Sequence, residues 1–380
     1  MADLDERLRY VRGVAAEAAA DLRGRALSVD ADPAAMERHF DSFGFRLIRT
    51  LTTPVELLPA DSREVVLTPE HKCLETAVAV TEIARGDAAM LLACPGPGLA
   101  GVVVDLLGSP EQRARFHGRL ADGRTWSFFA MTEAERGNDA TALQTRLDTD
   151  GDGYLLNGSK RYVGNAARGG IGVVFARTGR SPMSIRAALV EPGHPGWHGA
   201  PLEMIGLRGA YLSELAFTGV PVPEDALLGA HLPVTRRGIW GAVRTFNEMR
   251  VQIAALAAGT TLAMAEYVRD HTPGMSAPQG LDTVLGRAEA VRRLVCEAAA
   301  RVDSAPERSY PSSVAKLAAN DLAMRTARWA ARALGPAGLV EHPLLEKWTR
   351  DVCGFEFMEG TANIQRLNVE KGYRTGDADG

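Results

Sequence analysis

The sequence has few cysteines. Four occur among 380 residues, at Cys73, Cys94, Cys296 and Cys353, with no CxxC pair and no secretory signal ahead of them. That usage excludes a disulfide framework and fits reduced thiols in a cytoplasm. Charge of one sign is also scarce. The formal net charge is −4, whereas a dedicated nucleic-acid binder needs a basic surface to meet phosphates. Long hydrophobic runs are absent: no stretch approaches the roughly 20 consecutive apolar residues that span a bilayer. The N-terminal Met1-Ala-Asp-Leu-Asp-Glu-Arg is acidic and has no apolar signal region. Histidines are few and show neither HExxH nor a pair at ligand spacing, so the pattern names no metal site.

What is present is ordinary globular composition, 46% hydrophobic and 24% charged, in a chain long enough for two or three packed subdomains. The periodicity divides it into three zones. Residues 1–122 read as helical. Leu4, Leu8, Val11, Ala15 and Ala19 recur at helical spacing, and a further apolar segment runs from Leu74 to Leu92. Asp32-Pro33 predicts a helix start, as does Ser109-Pro110-Glu111-Gln112. Residues 123–233 change period. Trp126–Met131, Tyr154–Asn157 and Gly172–Ala176 are short strand-like runs divided by Gly, Asp, Asn and Pro turns. Residues 234–380 return to helix, with four predicted segments at 246–271, 281–302, 312–334 and 343–373, punctuated by Pro273-Gly274 and Gly335-Pro336. The expected class is α+β: an N-terminal helical domain, a middle β-barrel-like domain and a C-terminal four-helix bundle of the kind that often forms an oligomer interface.

Three motifs match patterns whose context is missing. Gly96-Pro-Gly98-Leu-Ala-Gly101 fits GxGxxG, but its surroundings are helical and Phe116 stands where a ribose-binding acid belongs, so a helix–helix connection is the better reading. Asp148-Thr-Asp150-Gly-Asp152-Gly153 opens like a calcium loop, yet Ser159 holds the last ligand position, and Asp-Gly favours a hairpin. Ser313-Val-Ala-Lys316 fits SxxK without its companion motifs, so Ser312 or Ser313 reads as a helix cap.

Three further segments, in fixed order, carry chemistry. The first comprises Gly108-Ser-Pro-Glu-Gln-Arg, Phe129-Ala-Met-Thr-Glu-Ala-Glu-Arg-Gly137-Asn-Asp139 and Asn157-Gly-Ser-Lys-Arg-Tyr-Val-Gly-Asn165. The second is Gly206-Leu-Arg-Gly-Ala-Tyr-Leu-Ser-Glu-Leu-Ala-Phe217, continuing to Val222-Pro223 and Leu228-Gly229. The third runs from Ala315-Lys316 through Leu334-Gly335 and Arg350-Asp351 to Met358-Glu-Gly-Thr-Ala-Asn-Ile-Gln-Arg366. Together they resemble the acyl-CoA dehydrogenase family over most of the chain.

The resemblance implies an FAD enzyme that oxidises an acyl thioester, borne by CoA or an acyl carrier protein. It assigns Phe129, Met131 and Thr132 to the isoalloxazine edge and Gly137 and Asn138 to the pyrophosphate. Tyr162, Val163 and Gly164 fall along the ring face and near N5. Arg332, Gly335, Thr361 and Asn363 complete the cofactor contacts, with Arg332 able to pair with a neighbouring subunit's pyrophosphate. Asn247, Arg250 and Met358 fall on the substrate side. Glu359, following the apolar pair Phe357-Met358, is the implied base that removes the α-proton while a β-hydride leaves for flavin N5, and its amide helps hold the thioester carbonyl. A carboxylate partly withdrawn from water there is a stronger base near neutrality. Some relatives carry the base on the helix of Phe246-Asn-Glu-Met-Arg250, but that position is Met249, and Glu248 should point elsewhere.

The sequence also departs from the family pattern. Gly164 replaces a threonine that donates to N5, Ala134-Glu135 replaces Pro-Gly, and Asn138 replaces a serine. The segment Arg269-Asp-His-Thr-Pro-Gly274 lacks the usual Arg-x-x-Phe-Gly, and Arg332 replaces a glutamine. These changes point to a specialised member in secondary metabolism, and the sequence resembles the hydroxymalonyl-carrier-protein dehydrogenases of polyketide extender-unit assembly. In that subtype oxidation could fall at an aldehyde-level carbon, with Glu359 still the base. An oxidase or monooxygenase on the same scaffold, or a silent thioester-binding protein, remains open at this stage. The expected partners are an electron-transfer flavoprotein or oxygen as electron acceptor and further copies of the chain as a homodimer or homotetramer, with no nucleic acid and no membrane.

Overall fold

The computed structural model describes residues 2–58, 65–135, 137–272, 278–335 and 337–376. Arg136, Pro273, Gly274 and Pro336 of the motifs above lie outside them.

The first helix, α1 (Ala2–Ala31), buries Val11, Ala15, Ala18, Leu22, Ala26 and Val29, a stripe at three- and four-residue spacing. It packs on α3 (Lys72–Ala93), with the short α2 (Phe43–Thr52) beside it. Asp32-Pro33 does not start a helix. It follows the end of α1, where the Asp32 carboxylate accepts from the Ala34 amide at 3.2 Å, and the local hydrogen bond wins over helix propagation. The Gly96–Gly101 segment connects α3 to α4 (Gly98–Leu107), as a helix–helix junction should. In α5 (Pro110–Leu120), Ser109 and Gln112 form a reciprocal capping box, the Gln112 amide bonding Ser109 Oγ at 3.3 Å.

Seven strands follow: β1 (Trp126–Ala130), β2 (Arg146–Asp150), β3 (Gly153–Val163), β4 (Gly169–Arg177), β5 (Ile185–Val190), β6 (Trp197–Pro201) and β7 (Ser213–Pro223). They form one sheet in the order β1-β4-β2-β3-β7-β6, with β5 on β4. Among the described residues its end strands β1 and β6 do not pair and β5 pairs with no strand but β4, so the sheet is open and curled, half of a barrel rather than a closed one. The Asp150–Gly153 hairpin joins β2 to β3 with Gly151 at φ +55°, which settles the calcium-like motif as a turn. Inside the sheet Lys160 and Glu133 form a buried ion pair at 3.0 Å.

The C-terminal zone contains α6 (Ile239–Asp270), α7 (Leu281–Ser304) and α8 (Tyr310–Ala333), which pack on one another and, through α6, on α3. The stretch Val234–Asp270 is long and apolar enough to cross a membrane, contrary to the reading of the sequence. Its most apolar window is 83% buried inside the protein, so its hydrophobicity is met by the core. Ser312 and Ser313 are not caps. Ser309 precedes the helix, Ser312 donates to its carbonyl at 3.2 Å, and Ser313 is buried against Gln365.

The largest difference lies at 343–373. One long helix is expected there; the structure has a one-turn α9 (Gly338–Glu341), then α10 (Pro343–Asp351), a 3-10 turn at Gly354–Glu356, and α11 (Ala362–Thr375). Glu359 and Gly360 take φ of +50° and +95°, which no α-helix accommodates. Gly360-Thr361 carried the signal: glycine favours the left-handed region and threonine favours the start of a helix.

Candidate active site

The break between α10 and α11 places Glu359 on a turn held from three sides. From α6, Arg250 Nε donates to the Glu359 carbonyl at 3.2 Å. From within α11, Gln365 Nε2 donates to the carbonyls of Glu359 at 3.1 Å and Gly360 at 2.9 Å. From α8, Lys316 Nζ donates to the Gly360 carbonyl at 2.7 Å and the Glu356 carbonyl at 3.4 Å. Ser313 orients Gln365 by donating to its Oε1 at 2.8 Å, and the Glu356 carboxylate caps α11 by accepting from the Ala362 amide at 2.7 Å. Every one of these bonds grips the main chain of the turn or a residue behind it. The Glu359 carboxylate is left over: its Oε2 is buried with no hydrogen-bond partner. Burial pushes that carboxyl up to about 7, against the lowering pull of Lys316 and then Arg250. Burial in turn lowers Lys316 to about 8 and Arg250 to about 10.

The residues expected on the substrate side adjoin this turn. Asn247 is buried and committed to protein partners, donating to Pro306 and accepting from Arg250 at 2.9 Å each, so it acts on the site through Arg250. Met358 packs against the helical core, while Phe357 is 74% exposed, so the expected apolar cover of Glu359 comes from burial of the turn rather than from that pair. Glu248 lies elsewhere on α6; its charged neighbours are Lys72, Asp303, Asp105 and Arg244. Met249 carries no carboxylate.

The β side meets the same turn. Phe129 packs tilted against Phe175 at 5.1 Å and edge-on against Phe246 of α6 at 5.8 Å, and Arg250 lies over the Phe246 ring at 5.9 Å. Thr361 Oγ1 donates to Asn138 Oδ1 at 3.4 Å, joining the loop after β1 to the start of α11. Met131 and Thr132 are fixed by their carbonyls, which accept from Lys160 Nζ and the Arg161 amide at 2.9 Å each. Lys160 and its partner Glu133 are therefore site-supporting residues that the sequence reading missed. Its flanks, Ser159 and Arg161, are polar, so the strand pattern carried no sign that Lys160 is buried. At the end of β3 the ladder register shifts, Tyr162 adopts φ +63° with its ring 55% exposed, and Val163 turns into the core.

These surfaces fit a flavin. A Cβ at Gly137 would meet only Thr132 Cγ2 at 3.7 Å, and one at Gly164 only the Ala210 carbonyl at 3.6 Å, so both glycines border open space. The exposed Tyr162, the fixed main chain at Met131-Thr132 and the Thr361–Asn138 pair are the groups that would receive the flavin. Asn363 is exposed at the start of α11 and accepts from Arg366 at 3.1 Å. Arg332 and Gly335 are not brought into this group. Arg332 sits in the last turn of α8, about 24 Å along the helix from Lys316 at 1.5 Å per residue, and Gly335 lies just past its end.

Residues 128–220 match the acyl-CoA dehydrogenase middle domain, and residues 236–373 match the acyl-CoA dehydrogenase C-terminal domain. An acyl-CoA dehydrogenase of Bacillus subtilis is 33% identical over 278 residues, covering 70% of this chain and 72% of that protein. The chain belongs to the acyl-CoA dehydrogenase family. As an acyl-CoA dehydrogenase-family member it is an FAD-dependent oxidoreductase. Among solved structures, a glutaryl-coenzyme A dehydrogenase in complex with glutaryl-CoA superposes with a TM-score of 0.83 at 23% identity, covering 99% of this chain and 96% of that one. The prolyl acyl carrier protein oxidase AnaB gives a TM-score of 0.80 at 22% identity, covering 96% and 98%. At those identities the two structures bear on the fold alone.

Proposed function

We propose that Glu359 is the general base of this acyl thioester oxidation and removes the α-proton. The observation that carries the reading is the free Oε2 of a buried carboxylate, pushed up to about 7, on a turn whose main chain is fixed by Arg250, Gln365 and Lys316. A base for a weakly acidic C–H must be ionised near neutrality yet unquenched by a direct ion pair, and this geometry meets both conditions. In this reading the Glu359 amide, on the same turn, donates to the thioester carbonyl and stabilises the enolate as the proton leaves. When bound, FAD supplies the acceptor for the two electrons that depart as a β-hydride. Phe129, Met131, Thr132, Tyr162 and Gly164 would hold its ring, and Asn138 and Thr361 would meet its phosphates.

We further propose a carrier-protein thioester of secondary metabolism as the substrate, an extender unit of the hydroxymalonyl type among the candidates, in a cytoplasmic homo-oligomer. The support is the set of departures from the family pattern at Gly164, Asn138, Ala134 and Arg332. The electron acceptor in this reading is an electron-transfer flavoprotein or oxygen. The test pairs each acyl group as its CoA and its carrier thioester and reads the product by mass. A carrier-borne product two hydrogens lighter, formed faster than its CoA counterpart, supports the reading; faster turnover of the CoA form contradicts the carrier assignment.

A further inference from the structure

The turn that carries Glu359 has the carbonyls of Glu359 and Gly360 each filled by two donors. The Glu359 carbonyl already receives Arg250 Nε and Gln365 Nε2, and the Gly360 carbonyl already receives Gln365 Nε2. A neutral donor would complete the Gly360 carbonyl. The residue present is instead Lys316, whose side chain is fully buried, and which makes no ion pair among the described residues. A buried ammonium bonded only to carbonyls is costly to desolvate, and an amide or hydroxyl in its place would be cheaper. Its positive charge is therefore what distinguishes it.

We propose that Lys316 is a positioning residue for Glu359: from behind the turn it fixes the carbonyls of Glu356 and Gly360 and sets a positive charge against the base. The inference rests on the reading of Glu359 as the base. The charged groups that face one another here come from three elements: Lys316 from α8, Arg250 from α6, and Glu356 and Glu359 from the turn. Both cations favour the ionised carboxylate, and burial opposes them. Removing the Lys316 charge leaves burial opposed by Arg250 alone, so the base stays protonated to higher pH.

The experiment measures kcat/KM against pH for wild type, Lys316→Gln and Lys316→Arg, with Glu359→Gln as control. Glutamine keeps a donor and removes the charge; arginine keeps both. In Lys316→Gln the ascending limb should move up by roughly one to two pH units, with a loss of about 5- to 50-fold at neutral pH that recovers in alkali. Lys316→Arg should keep the limb in place. A loss uniform across pH, with the limb unmoved, would overturn the inference and leave Lys316 a structural residue. Lys316→Met serves as the second uncharged variant should the glutamine protein not fold. If Glu359→Gln keeps turnover, the base reading itself fails; if it is inactive while Lys316→Gln titrates like wild type, only the Lys316 inference fails.

Discussion

Arg250 and Glu359 meet through the wrong atoms for a salt bridge. The guanidinium donates to the main-chain carbonyl of Glu359 at 3.2 Å and leaves the carboxylate without that bond. A direct pair would hold the carboxyl low and spend its basicity, whereas this contact fixes where the turn sits and still lends a nearby positive charge. Replacing Arg250 by methionine removes a charged hydrogen bond of about 1.5–3 kcal/mol. We expect kcat/KM to fall by about 10- to 100-fold with flavin content unchanged, measured by steady-state kinetics beside the visible spectrum.

The pH dependence follows from the Glu359 carboxyl, which burial raises to about 7. The base works ionised, so the rate should climb as pH rises through about 7 and level off above it. A limb at the ordinary carboxylate value would mean that the turn is open to water when substrate is absent.

How much of this was legible beforehand depends on what each signal measures. Hydrophobic period marks elements that bury one face, so α1, α3 and the seven-stranded zone were readable from Val11, Ala15 and the β turns. The same period misled at 343–373, because α10 and α11 each keep a helical face while the turn with Glu359 lies between them. The family resemblance located Glu359 but could not show that its main chain, and not its carboxylate, is what Arg250 and Lys316 hold. Local patterns also failed where a side chain chose a distant partner. Ser313 reads as a cap, yet it bonds Gln365 across 52 positions of sequence.

The same limit hid the cluster that docks α10. Lys347 Nζ bonds Asp87 and Asp351 at 2.6 Å each, with all three side chains buried, and the Leu207 amide donates to Asp351 at 2.6 Å. Asp87 sits at a break in α3 with φ −168° and ψ 126°, so one ammonium joins α3, α10 and the loop before β7. Two carboxylates keep Lys347 protonated at any working pH, while burial pushes Asp351 up to about 6. Lys347→Met strands two buried carboxylates and should cost about 3–5 kcal/mol of stability, read by denaturant unfolding. Because the cluster lies on the chain leading into the Glu359 turn, flavin retention should weaken with it.

A smaller effect isolates a local rule. Ser109→Ala removes one half of the capping box on α5 and should cost about 1 kcal/mol with no change in kcat, checked by thermal unfolding and kinetics together.

The central claim is that Glu359 takes the α-proton. Anaerobic mixing of the flavin-loaded protein with an oxidisable acyl thioester, followed by the visible flavin absorption, tests it in a single turnover. Wild type should bleach, and Glu359→Gln should hold the same flavin and bind the thioester but bleach slower by about 10³-fold. Equal bleaching in the two proteins would contradict the account and move the base to another residue.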